Sequence, residues 1–187
     1  MKTRDLVLIA LFAAIIVALG LLPPIAVPLI PVPITAQSLG VMLAGAILGA
    51  KRGTLAVALV ILLVIVGLPV LSGGRGGLAV FAGPTVGYLI GWLPGAFLTG
   101  FISERFVKDE QSAFAQISGF FIAAVAGGIG AVYLCGIIGL VIMKGLPFFA
   151  TLVGSLTFVP GDLVKAAIVA LAARAVQVGY PLLPVRR

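Results

Sequence analysis

Uncharged apolar residues run in long blocks along this chain, and the charged ones gather between the blocks. The blocks cover about 6–22, 36–50, 53–70, 83–103, 112–142 and 160–178. A helix needs about 20 apolar residues to cross the hydrocarbon core of a bilayer. The pattern therefore predicts an all-α integral membrane protein, with six transmembrane helices and short connections in one domain covering 1–187. Composition points the same way: 62% of residues are hydrophobic, 9% are charged, and mean hydropathy is +1.33. Too little polar surface is present to dissolve a soluble domain of this size.

The charges between the blocks predict orientation. With the N-terminus in the cytoplasm, Lys2, Arg4, Lys51, Arg52, Arg105, Lys108, Arg174, Arg186 and Arg187 fall inside. Only Arg75 and Lys144 fall outside, while Lys165 lies within the last helix. This bias follows the positive-inside rule and puts both termini in the cytoplasm. The net charge of +7 is then explained by topology, with no nucleic-acid partner. The opening MKTRDLVLIALFAAIIVALG has the basic start of a signal peptide. Its apolar stretch is long enough to span, and its removal would spoil the charge bias, so it is expected to remain as the first helix.

What is missing narrows the chemistry. The chain has no histidine and one cysteine, Cys135, inside an apolar run where a small packing residue suits. Histidine bases, disulfides and cysteine metal clusters are excluded, and no cofactor is implied. No GxxxxGK[ST] loop occurs, and no nucleophile–base pair is evident. The chain is not expected to be an enzyme, and accumulation of a solute would need ion coupling or a separate ATPase.

Three segments on the predicted outer face interrupt the simple spans. Pro23, Pro24, Pro28, Pro31 and Pro33 crowd LLPPIAVPLIPVPITAQ, which cannot be a continuous helix. Gly73, Gly74, Gly76 and Gly77 crowd around Arg75, and GLPFFATLVGSLTFVPGD is broken at Pro147 and Pro160. Non-helical backbone at membrane depth persists where it packs on protein or lines a cavity. These segments predict a lidded pocket, with plain interfacial loops as the alternative. Small residues also recur at helical spacing, at Gly83, Gly87, Gly91 and Gly95 and at Ala10, Ala14 and Ala18. Such stripes let another helix come close. For the glycines that neighbour is expected within the bundle; for the alanines an internal helix and a partner protein are equally suited.

Asp162 and Lys165 are the sharpest candidates. They share a face near the start of the last helix, behind Pro160, with Asp162 near the positive end of the helix dipole. Ionisable groups in a span cost about 2.5–3.5 kcal/mol each on insertion scales and face the interior or a polar cavity. They either contact ligand, Asp162 accepting and Lys165 donating, or form a self-contained ion pair and cap. Arg75 cannot belong to a nucleotide loop, because an apolar run of spanning length precedes it where a Rossmann loop needs a short strand. Its planar fork suits a carboxylate, with a lipid headgroup as the other reading. The glycines around it, Gly74 among them, let the backbone turn tightly and approach a ligand. Together these charges outline a pocket for a small, partly apolar molecule with an anionic tail.

PVPITAQSLGVMLAGAILGAKRG (Pro31–Gly53), GLPVLSGGRGG (Gly67–Gly77), GPTVGYLIGW (Gly83–Trp92) and VPGDLVKAA (Val159–Ala167) resemble the BioY family, in the same order and over nearly the whole chain. These are biotin-binding S components of energy-coupling-factor (ECF) transporters. The resemblance implies the six-helix S-component fold, with biotin captured on the outer side under the 23–35 and 71–82 loops. It also implies docking on a transmembrane T component driven by two ATPase subunits. The family's AxxxA pattern is matched by Ala10 and Ala14, which places the T component against that face. Biotin's ureido ring suits Asp162 and Lys165, and its carboxylate suits Arg75; Gln37, Thr85 and Tyr88 stand in matched motifs as further polar groups. Two rival readings are a proton-coupled carrier of a small anionic metabolite working alone through Asp162, and a membrane scaffold binding no small molecule. Carriers of the first kind often show internal repeats, and none is evident.

Overall fold

A computed structural model describes residues 1–183; Arg186 and Arg187, counted above among the inside charges, lie outside the described residues. Helix α1 is Thr3–Leu19, α2 is Gln37–Ile65, α3 is Val86–Phe106 and α4 is Ala113–Ala124. Helices α5 (Val132–Lys144), α6 (Phe148–Leu156) and α7 (Val159–Gly179) follow. A π-helical segment, Val125–Ala131, joins α4 and α5 into one apolar rod, and a 3₁₀ turn, Leu78–Ala82, precedes α3. Among the described residues, three helical stretches are long and apolar enough to cross a membrane: Gln37–Ile65, Val86–Phe106 and Ala113–Lys144. The pair α6 and α7, bent by 52°, makes a fourth when counted as one span.

Helix α2 is a single element only by its hydrogen bonding. At Gly49 the backbone takes φ 84° and ψ 178°, and the chain turns back on itself there. A Cβ on Gly53 would lie 2.6 Å from the carbonyl oxygen of Ala44, which no straight helix allows. The apolar pattern puts this break at Lys51–Arg52, while the bend falls two residues earlier, at the residue able to adopt a positive φ. The backbone N–H of Ala50, which loses its helical partner at the bend, donates to the Glu104 carboxylate at 2.8 Å. Helix α3 presses on the same corner, with Gly100 against the backbone of Gly49 and Ala50.

The segment between Pro147 and Pro160, expected as an interrupted loop, contains the nine-residue helix α6. Pro147 sits at its N-cap and Pro160 in the first turn of α7. A missing backbone N–H is harmless at both places, so the two prolines start helices and do not break one.

Helix α1 buries Ile9, Phe12, Ala13 and Ile16 and turns Leu6, Val7, Leu11 and the alanines Ala10, Ala14 and Ala18 outward. In the glycine stripe, Gly87, Gly91 and Gly95 pack on α5 and the π segment beside Val132, Cys135, Gly136 and Gly139. Gly83 lies before α3 and takes no part. One end of the bundle gathers the N-terminus, the segment around Tyr180 and Leu182, and the Gly49 bend. There Arg52 pairs with Asp5 at 3.3 Å and donates to the Leu182 carbonyl, while Arg4 lies 4.8 Å over the Tyr180 ring. The opposite end holds the proline-rich connection, the glycine turn, α6 and the start of α7.

Candidate ligand-binding site

A cavity opens at that second end, walled by the proline-rich connection, the glycine turn and several helices. The proline-rich connection and the first turn of α2 supply Val32 to Thr35, Gln37 and Ser38, and the glycine turn supplies Leu71 and Arg75. Helix α3 adds Thr85, Tyr88 and Trp92, and the π segment with α5 adds Gly128, Val132 and Tyr133. Phe158, Asp162 and Lys165 close it from α7. The wall is mostly apolar, with a few convergent polar groups, as small-molecule sites usually are.

Asp162 is 6% exposed. Its Oδ1 accepts from Lys165 Nζ at 2.8 Å and from Ser38 Oγ at 3.4 Å, and its Oδ2 accepts from the Tyr133 hydroxyl at 2.7 Å. Lys165 donates to the Thr35 carbonyl at 2.8 Å, to Ser38 Oγ at 2.9 Å and to Asp162. All three ammonium protons are thus taken by protein. A carboxylate offers about four lone-pair sites, so Asp162 keeps acceptor capacity while Lys165 holds it in place. The two ions satisfy each other, and the carboxylate lines the cavity.

Arg75 sits in the same cavity without a carboxylate partner among the described residues. Gly73 and Gly74, at φ 79° and 69°, turn the chain so that Leu71 and Arg75 exchange backbone hydrogen bonds at 3.0 and 3.1 Å. The Arg75 Nε donates to the Ser72 carbonyl at 3.1 Å and Nη1 to Thr85 Oγ1 at 3.3 Å. The guanidinium fork is oriented but keeps donors free. With the neutral Asp162–Lys165 pair beside it, the cavity carries one uncompensated positive charge.

The remaining candidates divide. Tyr88 reaches the cavity wall and bonds Ser155 Oγ at 2.8 Å. It stands edge-on to Tyr133 and Phe158, with ring centroids 6.2 and 6.0 Å away. Gln37 borders the cavity but is 1% exposed, and both ends of its amide are bonded to backbone. Gly74 lies outside the cavity, exposed, with nothing within 4 Å of where a Cβ would stand. It shapes the turn that carries Arg75. Sequence reasoning passes over Tyr133, Ser38 and Trp92. Tyr133 is a polar aromatic in an otherwise apolar run, and Ser38 follows Gln37 in a quoted motif; neither signal says which charge it would meet.

The BioY family model matches residues 1–181. A biotin transporter of this name from Rhizobium etli is 63% identical over 186 residues, covering 100% of both chains. One from Lactococcus lactis is 38% identical over 174 residues, with 92% of this chain and 90% of the relative covered. The crystal structure of the S-component for biotin from an ECF-type ABC transporter superposes with a TM-score of 0.88. It is 35% identical, with 97% of each chain covered.

Proposed function

The chain belongs to the BioY family, and on that premise we propose that it captures biotin at the outer side of the cell membrane and takes it inward. It does so as the substrate-binding S subunit of an ECF transporter, with a T component and two ATPase subunits as partners. It is a transporter subunit and not an enzyme; ATP hydrolysis belongs to the partners. Six spans fit the fold when the two limbs of α2 count separately and α4 to α5 count once, alongside α1, α3 and α7. The inside bias of Lys and Arg supports cytoplasmic termini, and the cavity then opens outward.

The observation that carries the reading is the placement of Asp162, held by Lys165, Tyr133 and Ser38, in one cavity with the unpaired Arg75. Biotin offers complementary groups. A ureido N–H meets the acceptor left on Asp162, the apolar ring and chain meet Tyr88, Trp92 and Phe158, and the carboxylate meets Arg75. Thr85 orients that arginine. Lys165 acts by fixing Asp162 and the Thr35 carbonyl, and Gly74 by shaping the turn. The outward Ala10 and Ala14 supply a close-packing face for the T component. Likeness to an S-component favours capture with partners over a self-sufficient proton-coupled carrier.

Titration calorimetry of biotin against the purified chain in detergent, beside Asp162→Asn and Arg75→Ala, tests this. Each lost charge-assisted hydrogen bond is worth about 1.5–3 kcal/mol, or roughly 10- to 150-fold in affinity. A folded wild-type sample that gives no heat with biotin would sink the assignment.

A further inference from the structure

Gln37 borders the cavity, but every hydrogen bond its amide makes goes to backbone groups of α1 and of residues 70–72. Its Nε2 donates to Val70 O at 3.0 Å and to Ile16 O at 3.2 Å, and its Oε1 accepts from Ser72 N at 2.9 Å. The amide therefore grips Val70 and Ser72 on either side of Leu71, as a neighbouring strand's peptide would. It also satisfies Ile16 O, one of the last carbonyls of α1, which has no intrahelical partner.

Ser72 is the hinge of the arrangement. It is fully buried; its N–H is held by Gln37, its hydroxyl by the Leu22 carbonyl at 2.9 Å, and its own carbonyl accepts from Arg75 Nε at 3.1 Å. The path from Gln37 to the guanidinium is two hydrogen bonds through one residue. Gly20 leaves the room for it: a Cβ there would lie 2.7 Å from Val70 O and 2.8 Å from Gln37 Nε2.

We infer that Gln37 is a positioning residue for the ligand's carboxylate, acting through Ser72 to set the Arg75 guanidinium and to pin the glycine turn over the cavity. It does not touch the ligand. This rests on the reading above that Arg75 receives the biotin carboxylate. With the Gln37 amide gone, residues 70–72 lose two of their three hydrogen bonds to neighbouring segments and keep only the Ser72 hydroxyl's bond to the Leu22 carbonyl; the guanidinium then loses its fixed orientation, and bound ligand leaves faster.

The test measures association and dissociation rates of biotin, and of its alcohol analogue in which CH₂OH replaces the carboxylate, on detergent-purified chain. Wild type is compared with Gln37→Leu, Gly20→Ala and the control Gly179→Ala, whose new methyl meets open space. Wild type should prefer biotin over the alcohol by about tenfold or more. Gln37→Leu and Gly20→Ala should lose most of that preference through faster release of biotin, with the alcohol's affinity within about threefold of wild type. Gly179→Ala should match wild type. Gly20→Ala keeps every polar group and carries the test alone if Gln37→Leu does not fold. Equal losses for both ligands would mean a merely structural role and overturn the inference, as would no loss for either. A wild type that binds both ligands equally would instead remove the carboxylate contact of Arg75, and one that binds neither would remove the biotin site itself.

Discussion

Lys165 Nζ lies 2.8 Å from the Thr35 carbonyl and 2.8 Å from Asp162 Oδ1. One cation thus ties the end of the proline-rich connection to the first turns of α7. The side chains of Lys165 and Asp162 are 15% and 8% exposed, so the pair is shielded from water. Removing one member of a buried pair strands the other.

Replacing Lys165 with Met should therefore destabilise the fold by about 3–5 kcal/mol, seen as a lower thermal midpoint in detergent. The double variant Asp162→Asn with Lys165→Met should recover much of that stability, because no buried charge is left unpaired, yet still bind biotin roughly 10- to 150-fold more weakly than wild type. A single Lys165→Met that melts with wild type would contradict the shielded-pair account.

The two tyrosines of the cavity should separate. Ser155 gives its proton to the Thr151 carbonyl at 2.7 Å, so Tyr88 is the donor in its bond to Ser155. Tyr88→Phe removes a neutral hydrogen bond worth about 0.5–1.5 kcal/mol. Tyr133→Phe removes a donor to the Asp162 carboxylate, worth about 1.5–3 kcal/mol. Biotin affinity should fall more for Tyr133→Phe. The reverse order by calorimetry would place the ureido group nearer Tyr88.

At the other end of the bundle, Gly100→Ala should act on stability alone. Its Cβ would run into the backbone of Ala50 and Gly49, where no side chain can swing aside. Overpacking of this kind costs about 1–3 kcal/mol. The thermal midpoint should drop while the dissociation constant of the folded protein for biotin stays as in wild type, since the Gly49 corner is remote from the cavity.

Ala10→Trp and Ala14→Trp should do the opposite. Both alanines face out of the bundle, so an indole there disturbs neither core nor cavity. Biotin binding to the isolated chain should persist, while uptake in cells supplying the T component and ATPases should fall sharply. Undiminished uptake would move the docking face elsewhere on the molecule.

The apolar blocks, the charge bias and the Asp162–Lys165 pair could be read from the sequence because the bilayer makes them conspicuous. A span must be apolar along its whole length, and an ion inside one stands out. Spacing alone leaves the outward face of α1 undecided, since a small-residue stripe serves an inner neighbour or an outer partner equally, and only the family resemblance favours the partner. Packing of Ile9, Phe12 and Ile16 inward settled where Ala10 and Ala14 point.

By itself the sequence determined the kind of solvent this chain lives in, the apolar blocks along it, and which rare ions must face inward. Only the tertiary structure decided the bend at Gly49, the helix between Pro147 and Pro160, and the partners of each polar group. Tyr133 meets Asp162 from 29 positions away, and Gln37 reaches Val70 from 33. Local pattern sets an element's type and its buried face. Which atoms meet across two elements depends on their relative depth and rotation, and those follow from the packing of all the segments together.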